Sequence, residues 1–189
     1  MWAVPVAVTA PRGDTTAKHM GEIMRITRWA ASLGAAGLLS LTLAGCEVSD
    51  IYEAHCVTTP FVAGQDHGMI DAVADVPLEV NPGQTFTITV NEIGVQGSHT
   101  DDPPPARFAT ITLAGAVSPS GNITLGSMAQ PAVWPRQIQV TATGAVGQNI
   151  VLSVYGADQH VTSPITHHLS CHALGDTTLA TIKIVAPTT

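Results

Sequence analysis

Histidine is the residue type in this chain that could most readily do chemistry. From Cys46 onward it occurs at His55, His67, His99, His160, His167, His168 and His172. Four of these flank the two later cysteines, in His55-Cys56 and in His167-His168-Leu169-Ser170-Cys171-His172. Neutral imidazole is a good ligand for zinc or copper, and it also titrates near pH 6.5, which would give a pH-dependent surface charge. Cys56 and Cys171 admit two readings: a disulfide, which would draw His55 and His172 together, or a pair of thiolate ligands. Neither cysteine sits in a Cys-x-x-Cys pair, which counts against the thiolates.

Strand geometry constrains any metal site here. Extended residues alternate faces and rise about 3.3 Å each, so His168 and His172 would share a face about 13 Å apart. His167 and Cys171 stand in the same relation. A zinc or copper site using His55, His168 and His172 therefore needs a bend, or a ligand from a neighbouring strand such as that of His55. Scattered surface imidazoles explain the histidines with less, so no cofactor is expected and the metal site is the alternative.

Other chemistry is sparser. The segment Ser98-His99-Thr100-Asp101-Asp102-Pro103-Pro104-Pro105 pairs two carboxylates that could hold Ca²⁺, but no spaced Asp-x-Asp-x-Asp array surrounds them. Prolines stiffening an exposed connection account for it, and such a loop could also meet a protein partner. The chain has no G-x-S-x-G, H-E-x-x-H or Walker A pattern. A non-enzymatic role is the expectation. Aromatics make up 4% of the chain, which gives little support to sugar stacking.

Charge bears on partners. Lys and Arg from Cys46 onward are Arg107, Arg136 and Lys183, against a dozen acids. Nucleic-acid binding relies on basic groups neutralising phosphates, so no nucleic-acid partner is expected. Acidic surfaces also serve solubility.

The chain before Cys46 has the layout of an export leader. Met24-Arg25-Ile26-Thr27-Arg28 is a basic start, Trp29 to Leu43 is uncharged and apolar, and Leu43-Ala44-Gly45-Cys46 comes next. The apolar stretch is shorter than the roughly 20 residues of a membrane span and fits a cleaved signal peptide over 24–45. Residues 1–23, with Pro5, Pro11, Asp14 and Glu22, read as an over-extended start. Leu-Ala-Gly-Cys resembles the lipobox of bacterial lipoproteins at all four positions. That resemblance implies a diacylglyceryl group on Cys46, cleavage between Gly45 and Cys46, and membrane attachment through covalent lipid on an extracytoplasmic face. A partner protein of the cell envelope is compatible with this placement.

Export favours oxidation, so Cys56 and Cys171 are expected to form a disulfide. Closing so long a loop is worth roughly 4–5 kcal/mol by chain entropy. The body carries period-two patterns throughout. Residues 46–75 read as a tether and first strand around Ile51 to Val57, and 76–189 as the remainder of one domain. Thr85 to Val90 places Phe86, Ile88 and Val90 inward, after an Asn81-Pro82-Gly83-Gln84 turn of type II. Further strands are expected over 108–117, 122–125, 137–143, 149–155, 165–171 and 178–185. A hairpin loop is expected at Gly144 to Gly147. No helical stripe is found after Cys46. About eight short strands with one apolar face suit an all-β, antiparallel β-sandwich, with a closed barrel as the alternative. Pro82-Gly83-Gln84, with alternating Thr and apolar residues after it, resembles the strand opening of bacterial immunoglobulin-like surface domains, which implies that fold class alone.

Overall fold

Alternation of apolar and polar residues builds the fold. In the strand Thr85–Gly97, Phe86, Ile88 and Val90 are buried while Thr85 and Thr87 face solvent. The turn before it forms as expected. Gly83 adopts φ 75°, which glycine tolerates, and the Gln84 N–H donates to the Asn81 carbonyl at 3.0 Å. The Gln84 side-chain oxygen accepts the Asn81 N–H at 2.8 Å. The same glutamine device recurs at Ala145–Gln148, where Gln148 Oε1 accepts the Ala145 N–H at 2.8 Å.

The computed structural model describes residues 45–64, 66–97, 105–163 and 165–188. Its strands are β1 (Cys46–Thr59), β2 (His67–Val76), β3 (Glu79–Val80), β4 (Thr85–Gly97), β5 (Phe108–Gly115), β6 (Val117–Ser118), β7 (Gly121–Leu125), β8 (Arg136–Ala142), β9 (Asn149–Ser163), β10 (Ile165–Ala173) and β11 (Thr178–Ile184). No helix occurs among the described residues. The expected leader 24–45, apart from Gly45, and the expected over-extended start 1–23 lie outside them, as do Ser98 to Pro104.

The strands join one large sheet in the order β3-β11-β9-β10-β1-β2-β4-β8-β6, with β5 pairing β9 and β7. The pairings are antiparallel except β3 with β11, so the sheet is mixed rather than purely antiparallel. It curls: β4 and β9 stand four places apart in that order yet touch each other. Ile88 and Ile93 of β4 and Leu152 of β9 belong, with Ile111 of β5 and Ile182 of β11, to a single buried core.

Three expectations are corrected. The described chain holds eleven strands, not about eight, with β2, β3 and β6 unforeseen. No free tether precedes β1 among the described residues of 46–75, because Cys46 already pairs with Val76 and β1 runs against β2 from Cys46 to His55. Gly144 to Gly147 is a turn but not a hairpin, since β8 pairs β4 and β6 while β9 pairs β5, β10 and β11.

Two bulges decide which residues face outward. In β4, Val73 pairs Glu92 and Ala74 pairs Val90, leaving Asn91 over. Burial then passes from Phe86, Ile88 and Val90 to Ile93 and Val95. In β9 the register with β5 skips Tyr155, and burial passes from Ile150, Leu152 and Val154 to Ala157 and Gln159. An extra residue on one strand disrupts the ladder and re-aims the side chains beyond it. At the same place β9 exchanges its neighbour, from β11 up to Ser153 to β10 from Gly156.

Candidate functional site: the outer face of β9, β10, β1 and β2

Cys56 and Cys171 are direct cross-strand partners in β1 and β10 and form a disulfide, with Cα atoms 4.1 Å apart. Both sulfurs point into the core. The bridge fixes the register of these two strands, and register decides which face each neighbour takes. One position along, on the opposite face, His55 pairs His172. On its other side His55 pairs His67 of β2. His67, His55 and His172 thus stand in one row across three adjacent strands, all exposed. The other end of this row is Gly156 of β9, which pairs His172.

His55 and His172 are thus brought side by side in the ladder, as expected from the disulfide, whereas His168 lies elsewhere. It pairs Thr59 and His160, and its Nδ1 is 3.3 Å from Asp158 Oδ1. The His160 and His168 rings meet edge to face at 4.7 Å between centroids. Burial raises the Asp158 pKa above the usual carboxylate range, and the His168 charge opposes this. Burial also lowers the His160 pKa, helped by His168 and Arg107 and opposed by Asp158. His160 Nδ1 is buried without a hydrogen-bond partner. His167 takes the opposite side of β10 from His168, and His99, Asp101 and Asp102 lie outside the described residues.

Among the described residues no three His, Cys, Asp or Glu side chains gather where one ion could sit as the side chains now point. His55, His168 and His172 thus do not form a ready-made metal triad: His168 is displaced by four residue pairs along the ladder from His172. Sequence alone does not single out His67, because residues 46–75 read there as tether and first strand. The signal was present in the alternation of Ile70, Ala72, Ala74 and Val76 with Met69, Asp71, Val73 and Asp75.

Beyond this row, the turn after β1 encloses an open cavity of about 420 Å³ lined by His55, Val57, Phe61, Val62 and Asp66. Phe61 is 83% exposed. Cys46, at the far end of β1, has a free and exposed thiol. Comparison with protein-family models, curated proteins and solved structures finds no match.

Proposed function

We infer that this protein is a lipid-anchored module of the bacterial cell envelope, non-catalytic, serving a binding or structural role beside the membrane. The observation that carries the reading is Leu43-Ala44-Gly45-Cys46 at the end of an Arg-flanked apolar stretch. Two features agree with it. Cys46 is exposed, so an acyltransferase could reach its sulfur. The buried Cys56–Cys171 bridge suits an oxidising compartment. The immunoglobulin-like sandwich remains our reading of the fold, supported by the contact between β4 and β9 across one core.

The absence of a tether adds a consequence. Acyl chains hold by about 0.8 kcal/mol per buried methylene, and more than one chain is needed for stable anchoring. With Cys46 itself in the ladder, the body would sit directly against the bilayer. The histidine row would stand about 30 Å away along β1, nine residues at about 3.3 Å each.

The test is fractionation of cells expressing the full chain or its Cys46→Ala variant. The wild type is expected in the membrane fraction and released by detergent but not by salt. The variant is expected to leave that fraction. Equal distribution of the two would remove the proposal.

A further inference from the structure

We propose that the His67–His55–His172 row binds a divalent transition-metal ion of the zinc or copper(II) class, with His55 and His172 as the ligand pair and His67 flanking them. The site does not depend on lipid attachment.

The argument begins with register. His55 and His172 are directly opposed, and so are His55 and His67. Directly opposed residues carry Cβ atoms about 4.5–5.5 Å apart on the same face. Two nitrogens bound tetrahedrally to one ion at about 2.0–2.1 Å lie about 3.3 Å from each other. Two opposed imidazoles that lean together thus reach this spacing by side-chain rotation alone. All three rings are exposed, so rotation meets little packing. The rings do not converge as they now point; His172 leans toward Tyr155, with centroids 5.6 Å apart.

Two further features single out the pair His55–His172. The disulfide locks the neighbouring position of the same two strands, so the opposition of the rings cannot slip. His67, by contrast, faces Asp66 at 3.6 Å. His67 and His172 are two strand spacings apart, roughly 9–10 Å, so neither can chelate with the other and His55 is the shared member. The surroundings are acidic: Glu53 shares the outward face of β1 two residues from His55, and Asp66 adjoins His67. A field of this sign raises the local concentration of cations. Water fills the remaining coordination positions.

His168 and His160 provide the internal control, because they lie on the same face but belong to the Asp158 cluster. The test is calorimetric titration of the oxidised, untagged full chain with ZnCl₂ and with CuCl₂, Cys46 being lipidated or alkylated because a free thiol takes the same ions. One ion per chain is expected. His55→Ala and His172→Ala should each weaken binding by at least about tenfold, since even an outer-shell partner of a ligand is worth about 10–100-fold. His168→Ala and His160→Ala should leave affinity within about twofold. In the copper(II) complex, electron paramagnetic resonance should show nitrogen coupling that is lost in His55→Ala. Absence of binding by the wild type, or wild-type affinity in His55→Ala, overturns the proposal. Loss of binding in His168→Ala with retention in His172→Ala overturns it too, and moves the site to the Asp158 cluster.

Discussion

Replacing Cys56 and Cys171 together by alanine opens a loop closed over 115 positions. For a loop of that length, the chain entropy returned to the unfolded state is worth about 4.8 kcal/mol at 25 °C. Little else changes. Both side chains are small and buried, and the β1–β10 ladder from Ala54–Ala173 to Thr59–His168 remains. The body from Cys46 onward has roughly 140 residues, for which the unfolding entropy near the midpoint is about 0.3 kcal/mol/K. The melting temperature should therefore fall by about 16 °C. Circular dichroism melts of wild type and Cys56→Ala/Cys171→Ala measure this, and wild type under reducing conditions should melt close to the variant. A fall of less than about 4 °C, or reduced and oxidised wild type melting together, would refute the chain-entropy account.

Other outcomes concern single positions. A methyl group at Gly68 would run into the Cys56 sulfur and the Gln96 carbonyl, so Gly68→Ala should lose about 1–3 kcal/mol in urea titration. The Tyr52 hydroxyl is buried without a partner, and burial, with Asp50 and Asp176, raises its pKa to about 12. Its neutral form is the one the fold favours, so stability should fall as pH rises from about 10 toward 12, a loss absent from Tyr52→Phe. Tyr52→Phe should itself be neutral or stabilising near pH 7, because it removes an unsatisfied hydroxyl. His160 favours its neutral ring in the folded state, so its NMR titration midpoint should lie below 6.5. The stability linked to it is then lost as pH falls through that value, where the unfolded chain takes up the proton first.

How far the fold was legible depended on whether alternation ran unbroken. Phe86, Ile88 and Val90, like Ala109, Ile111 and Leu113, were readable because each is apolar and threonine separates it from the next. The disulfide was readable from an even pair of cysteines in a chain whose sequence is read as exported. β2 was not, since alanine at two inward positions and Val73 outward blur its contrast. The full lengths of β4 and β9 were hidden by the bulges at Asn91 and Tyr155, after which the inward phase changes. A bulge has no local signature in apolar pattern, because it is fixed by what the partner strand leaves unpaired. The histidine row illustrates the same limit. His55 and His172 could be inferred from their neighbouring cysteines, whereas His67 required the β1–β2 register and Asp158 with His160 required the bulge. The turn at Gly144 to Gly147 was recognisable, but a turn does not reveal whether its flanking strands pair with each other.

The proposed placement at the membrane rests on Cys46, and intact-mass measurement of the protein extracted from cell envelopes addresses it most directly. The account predicts a chain beginning at Cys46, heavier than its amino acids by at least a diacylglyceryl group on that sulfur. A chain that retains the leader, or one whose Cys46 thiol is unmodified, would contradict it.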